Sequence, residues 1–389
     1  LGDKLYNHQA QSFLIDYLIN FHRMVYRAIG LMSGSSLDGL DIVFTELEEI
    51  GGKWNYQIRH AETVAYSKEW AEKLSNATSL NALEYLRLHT AYGQFIGEQI
   101  NAFVEKHNLY HQVQVIASHG HTTFHEPQNK MTAQLGDGAT IAATTGINVV
   151  SDLRAMDIAL GGQGAPIVPI GEKLLLGNYP LLLNLGGIAN ISAALPEGYT
   201  AFDICPANRV LNMLAQEAGF PYDHEGALAA KGFVRDEPLA KMNREPYYIT
   251  KFPKSLANNF GTDTIYPVLK NANLSVQDAL RTMVEHICIQ VTRSVGRLVN
   301  KLPENTPRQL LVTGGGAFNT FLIERLQASL KVMGVELIVP EAELVNYKEA
   351  VIMALLGMLR WREENTVLHS VTGASRSSIG GAVWMGQDA

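Results

Sequence analysis

Apolar residues recur along this chain in two periods. Short β-branched runs predict strands, and longer stretches with an apolar residue every three or four positions predict helices. Val25–Gly30 is such a run and ends in SGSSLDG. Asp41–Leu47 and Trp54–Ala65 predict the next two strands, with Gly51-Gly52 as their turn. A helix is predicted around Leu80–His107, then a buried strand Val113–Ser118, a polar turn HGHTTFH (119–125), a short helix Gly136–Gly146 and a strand Ile147–Ser151. The second half repeats the theme. Pro180–Leu185 meets Gly186-Gly187 and resumes at Ile188–Ala193; Thr200–Ile204 is a strand and Asn208–Ala218 an amphipathic helix. Gln309–Thr313 breaks at Gly314-Gly315-Gly316, followed by a helix Phe318–Leu330, a strand Val335–Val339 and an apolar helix Tyr347–Arg362.

Both halves open with strand, glycine turn, strand. The pattern predicts an α/β protein of two similar lobes with a cleft between them. A length of 389 residues suits two domains, and 47% hydrophobic against 18% charged residues supplies buried cores. The expected division is an N-terminal extension over 1–23, a first lobe of 24–152 with 372–389, and a second lobe of 153–371. The formal net charge of -7, with no long basic run, speaks against nucleic acid or an anionic membrane as partner. It leaves anionic ligands open, because backbone N–H groups bind phosphate without lysines.

Two cysteines, Cys205 and Cys288, are too few for a disulfide framework and fit a reducing, cytoplasmic setting. No apolar stretch reaches membrane-spanning length. The first residues lack a basic n-region, and Asp16, Asn20 and His22 interrupt their apolar positions, so they do not read as a signal peptide. Met24 precedes the first strand, which makes 1–23 an extension outside the core or an amphipathic helix packed on it.

Several segments offer chemistry. In GLMSGSSLDGLD (30–41), small residues let backbone N–H groups approach a polyphosphate, and Asp38 and Asp41 could hold a magnesium ion. The plain alternative is a hairpin with Asp38-Gly39 as its turn. LNLGGIANIS (183–192) offers a second close backbone approach, and VTGGGAFN (312–319) a glycine turn before a helix, suited to a base or ribose. GxGxxG and GxxxxGK[ST] are both absent. In AFDICPANRVLN (201–212), Asp203 near a strand end could act as a base on water or a hydroxyl; a capping aspartate is the bland alternative. Cys205 has no paired base nearby and reads as a packing residue. His119, His121 and His125 suggest either a metal or, more in keeping with their spacing, a polar pocket. Arg154, between Asp152 and Asp157, could fork onto a substrate carboxylate or form a surface salt bridge, and its Gly/Pro sequel would suit a hinge. Glu349 either complements a helix dipole or faces a cleft.

Taken in order, GLMSGSSLDGLDI, ASHGHTTFHEP, QLGDGATIA, ALGGQGAPIVPIGEKLL, LNLGGIANIS, AFDICPANRVLN, PYDHEGALA, LLVTGGGAFNTFLIERL and VTGASRSSIGGAVW resemble the anhydro-N-acetylmuramic acid kinases, from about Tyr26 to about Trp384. The resemblance implies two actin-like (ribonuclease H-like) lobes with mixed sheets flanked by helices. It implies conversion of 1,6-anhydro-N-acetylmuramic acid, ATP and water into N-acetylmuramic acid 6-phosphate and ADP in peptidoglycan recycling, with ATP and Mg2+ required, and it points to a homodimer. It assigns water activation to Asp203. It places ATP binding at Gly34, Ser35, Ser36, Leu37, Asp38, Gly39, Leu40 and Asp41, and substrate binding at Arg154 and Glu349. The reading of the residues adds Gly186, Gly187, Gly314, Gly315 and Gly316 for ATP, Asp38 for the metal through water, and His119 and Asn208 for the substrate.

The chain departs from the family pattern in places. Ser35 stands for threonine, DICPAN for DTGPGN, and FPKSLANNFG (252–261) for a PPKSTGRE-like stretch. Another sugar kinase of the superfamily, a nucleotide-dependent binding protein and a histidine-based metalloenzyme are the competing readings.

Overall fold

A computed structural model describes residues 24–34, 37–252, 254–257 and 259–386. The expected extension over 1–23 and the loop residues Ser35 and Ser36 lie outside the described residues. The chain divides into two compact units: residues up to Leu175 together with those from Glu349 onward, and Leu176–Lys348.

The first unit is built on β1 (Met24–Ser33), β2 (Gly39–Ile50), β3 (Lys53–Ala65), β4 (Val115–Glu126), β5 (Met131–Leu135), β6 (Val149–Ser151) and β12 (Ala382–Trp384). Their order is β12-β6-β4-β1-β2-β3, with β5 on the outer part of β4. The β1, β2 and β3 strands form an antiparallel meander, and β4 and β6 run parallel to β1 and β4. The central strand β1 is covered on both faces, which explains its uninterrupted apolar run. Ile29 and Leu31 pack with Ile96 and Ile100 of the helix Ala82–His107, while Ala28 packs with Ile352 and Leu355 of the helix Ala342–Trp361. Gly30 permits that second packing: a Cβ there would sit 1.8 Å from the Ala350 carbonyl oxygen.

The segment His119–His125 is strand, not the predicted turn. Leu31 pairs with Ser118 and Ser33 with His121, so β4 bulges at Gly120, whose φ is +69°. Pairing with β5, which the sequence pattern did not reveal, holds this polar run extended. Residues 153–175 and 349–371, expected in the second lobe, belong to the first unit. Asp157 is fully buried there, accepting the Gly164 N–H at 2.7 Å and the Thr372 hydroxyl at 2.7 Å. Ile167 and Ile170 share a core with Val150 and with Ile352. The hinge expected near Arg154 therefore falls inside a packed unit.

The second unit holds β7 (Leu181–Leu185), β8 (Ile188–Leu195), β9 (Gly198–Pro206), β10 (Gln309–Thr313) and β11 (Glu336–Ile338), in the order β11-β10-β7-β8-β9. An antiparallel meander, β7 to β9, is joined by β10 and β11 running parallel to β7 and β10. This repeats the order and directions of β6-β4-β1-β2-β3, so the duplication suggested by two glycine turns is a duplication of topology. The core rests on the helix Val276–Val299, capped by Ser275, whose Oγ accepts the Asp278 N–H at 3.1 Å. It buries Leu280, Met283, Ile287, Val291 and Val295 against the sheet. Among the described residues no helix is long and apolar enough to cross a membrane.

Candidate active site

In the first unit, the turn after β1 carries Leu37 at φ +59°, a left-handed conformation that a leucine rarely adopts. Asp41 follows on β2 and accepts the Thr63 hydroxyl at 2.6 Å. Burial pushes the Asp41 carboxyl up to about 6, and the charges of Asp38 and Glu349 add to the shift. Among the described residues no three His, Cys, Asp or Glu side chains are grouped to hold a metal. A phosphate-bound Mg2+ needs only one or two carboxylates, however, and a cation would relieve the repulsion that Asp38 and Glu349 exert on Asp41. The donor set fits.

Glu349 does not open its helix, which begins at Ala342. The dipole reading therefore fails, and its charge instead acts on Asp41 and Arg154. Arg154 is partly buried, donating from Nε to His119 Nε2 at 2.9 Å and from Nη1 to the Gly164 carbonyl. No ion pair of Arg154 with Asp152 or Asp157 occurs among the described residues; Asp152 takes the Ser151 hydroxyl instead. Burial lowers the Arg154 guanidinium to about 10, opposed by Glu349 and Asp157.

The histidines go to hydrogen bonds. His119 is buried, with Nδ1 at 2.8 Å from the Gly120 carbonyl, and burial with the Arg154 charge lowers it to about 3. His121 Nδ1 meets Ser33 Oγ at 3.0 Å, and Ser33 also accepts from Tyr66 at 2.8 Å. His125 pairs with Thr132 at 3.2 Å.

In the second unit, Asn208 ties two glycine turns together. Its Nδ2 donates to the Leu185 carbonyl at 2.9 Å, its own N–H donates to Gly186 O at 3.1 Å, and the Ala207 N–H donates to Gly187 O at 2.9 Å. Gly314 adopts φ +82°, and a Cβ there would lie 2.5 Å from Asn184 Oδ1. A Cβ on Gly316 would lie 2.7 Å from Leu185 Cβ and 3.1 Å from Asn208 Oδ1. Gly186, Gly187, Gly314, Gly315, Gly316 and Asn208 are thus one cluster, in which Gly314 and Gly316 let the chain pack closely on Asn184, Leu185 and Asn208.

Asp203 lies within β9 and caps no helix. Its Oδ2 accepts the Leu256 N–H at 2.8 Å, its N–H donates to Lys254 O at 3.1 Å, and its carbonyl accepts from Tyr247 at 2.6 Å. Burial raises its pKa, and the Leu256 hydrogen bond opposes the rise. Cys205 is fully buried and pushed well up by burial, as a packing residue should be. The residues that sequence reasoning missed, Leu256, Lys254 and Tyr247, act mostly through main-chain atoms or a distant hydroxyl, which leave no residue-type signal.

Residues 26–386 match the family described as anhydro-N-acetylmuramic acid kinase. The anhydro-N-acetylmuramic acid kinase of Vibrio parahaemolyticus is 34% identical over 364 residues, covering 90% of this chain and 96% of that protein. Those of Haemophilus influenzae and Sulfurimonas denitrificans are 31% and 32% identical, covering 94% and 92% of this chain and 99% and 98% of theirs. Among solved structures, the ADPNP-bound activator of the 2-hydroxyisocaproyl-CoA dehydratase from Clostridium difficile aligns with 87% of this chain and 96% of its own, at 14% identity and a TM-score of 0.40. With a family match across nearly all its length and relatives above 30% identity, the chain belongs to the anhydro-N-acetylmuramic acid kinase family.

Proposed function

We propose that the chain uses ATP and water to open the 1,6-anhydro ring of 1,6-anhydro-N-acetylmuramic acid and phosphorylates the freed 6-oxygen. The products are N-acetylmuramic acid 6-phosphate and ADP, which assigns the reaction to peptidoglycan recycling. Family membership supports the reaction class. The observation that carries the mechanism is Asp203: one carboxylate oxygen held at 2.8 Å by the Leu256 amide, the other without a protein hydrogen bond among the described residues.

Asp203 takes a proton from water as the water oxygen bonds to the anomeric carbon. The bond from that carbon to O6 breaks, and its electron pair passes to O6. O6 then attacks the γ-phosphorus, whose bond to the bridging oxygen breaks to release ADP. Phosphorylating the alkoxide as it forms stabilises a poor leaving group. Water attack opposite the leaving oxygen follows the inverting half of glycoside hydrolysis. Burial that raises the Asp203 pKa makes it a better base at neutral pH.

The turn 34–41 and Gly186-Gly187 hold the phosphates through backbone N–H groups, and Gly314–Gly316 lies against the nucleoside. Asp38 and Asp41 would hold the Mg2+ that enters with ATP, and that ion supplies neutralising charge. Arg154, Asn208 and Glu349 are assigned to the sugar side, with Arg154 facing its carboxylate; His119, expected to contact the substrate, spends both ring nitrogens on Arg154 and Gly120 and holds Arg154 in place instead. A cytoplasmic site of action is supported by two buried, unpaired thiols, Cys205 and Cys288.

The test is ADP release with anhydro-N-acetylmuramic acid in heavy-oxygen water. One heavy oxygen is expected in the sugar, at the anomeric position, and none in the phosphate. Label in the phosphate, or ADP release without sugar phosphate, would refute the reading.

A further inference from the structure

Asp203 belongs to a polar row across the second unit's sheet. It stands opposite Asn190 on β8; Asn190 stands opposite Asn184 on β7, and Asn184 beside Thr313 on β10. Directly paired residues project from the same face, with Cβ atoms about 4.5–5.5 Å apart. Their chain neighbours fix which face: Leu185, Ile191, Phe202, Ile204 and Val312 all lie in the core with the helix Val276–Val299. The row therefore occupies the opposite face.

Facing away from the core, this row gathers four polar side chains on one side of the sheet, and protein groups leave most of them open to a ligand or water. Among the described residues the carboxamides of Asn184 and Asn190 make no hydrogen bond, and the Thr313 hydroxyl is buried without a partner. Asn184 is placed at the glycine turns, since a Cβ on Gly314 would touch its Oδ1 at 2.5 Å and one on Gly186 its Nδ2 at 3.5 Å. Asn190 is the member beside Asp203, and it is partly exposed.

We propose that Asn190 positions the attacking water together with Asp203. A water must give one hydrogen to the base, and its second hydrogen needs an acceptor if the lone pair is to point at carbon. Asp203 Oδ1 accepts the first, and Asn190 Oδ1 accepts the second. The water oxygen bonds to the anomeric carbon, the bond to O6 breaks toward O6, and the proton ends on Asp203. This assignment rests on the reading of Asp203 as the base.

The experiment compares Asn190→Leu, Asn190→Asp and Asp203→Asn in the full chain, by steady-state kinetics across pH with thermal unfolding as a check. Leucine keeps the volume and removes the acceptor. It is expected to lower kcat about tenfold or more and leave the ATP KM within about twofold. Aspartate keeps an acceptor, so kcat should recover to within about threefold of the native value on the alkaline side. Its acid limb should move upward, because a second carboxylate raises the pKa of the first. If Asn190→Leu proves unstable, Asn190→Ser, which keeps a small acceptor, is read against Asn190→Ala. A native kcat in Asn190→Leu, or equal losses in the acceptor and non-acceptor variants, overturns the proposal while an inactive Asp203→Asn keeps the base. An active Asp203→Asn overturns both.

Discussion

Arg154 donates its Nε–H to Nε2 of His119 at 2.9 Å, and the imidazole can accept it because its Nδ1–H faces the Gly120 carbonyl at 2.8 Å. The network assigns a neutral Nδ1–H tautomer, and a pKa near 3 keeps the ring neutral across the working range. Arg154→Ala should raise the sugar KM about tenfold or more, as expected for losing a charge-assisted hydrogen bond, with the ATP KM unchanged. Lysine should not rescue it, because it has no Nε–H fork to bridge His119 and Gly164. Initial rates over a sugar series check both, and an unchanged sugar KM would remove Arg154 from the substrate.

Asp203→Asn should lower turnover at least about a hundredfold, the usual scale for removing a general base. The Leu256 N–H can still donate to the amide oxygen, so the fold and nucleotide affinity should stay near native. Single-turnover assays and equilibrium ATP titration separate the two effects.

Asp41 links pH to stability. Its carboxyl titrates near 6 in the folded chain against 3.8 as a free side chain, so between those values the folded state binds more protons than the unfolded state. Stability from this group is therefore present at low pH and falls as pH rises through the window. Asp41→Asn should stabilise the first unit at pH 7 by on the order of 2 kcal/mol, allowing for partial exposure. The gain should vanish near pH 4. Denaturant melts at both pH values test it. Weaker Mg-ATP affinity in the variant at pH 7 would mark Asp41 as an ion ligand.

Two glycines should resist even a methyl group. Gly314→Ala forces φ +82° on a residue with a Cβ, at about 1–3 kcal/mol, and pushes into Asn184. Nucleotide affinity should fall with it, read by calorimetry. Gly30→Ala places its methyl 1.8 Å from the Ala350 carbonyl oxygen, a backbone atom that cannot rotate away. It should destabilise by about 1–3 kcal/mol or more, seen as a lower denaturant midpoint.

Strands β1, β2, β3, β7 and β8 were legible in the sequence and all lie close to their predicted positions. His119–His125 was not, because long-range pairing with β5 overrides a local polarity that reads as a turn. The helix Val276–Val299 escaped because its polar positions, among them Asp278, Thr282, His286 and Gln290, are buried with the apolar ones and blur its stripe. His286, for example, lies between Tyr248 at 2.9 Å and Asn243 at 2.8 Å. Of the site, the glycine turns and Asp203 could be picked out by residue type. The coupling of Arg154 to His119 could not, since 35 positions separate them and no local pattern links them.

The grip on Asp203 from residues 254–256 is made entirely by main-chain atoms, the Lys254 carbonyl and the Leu256 amide. Such a grip is indifferent to spelling: any residue except proline at position 256 offers the same N–H. The anchor of the carboxylate therefore asks for a backbone path at 254–256 and for no particular side chain there.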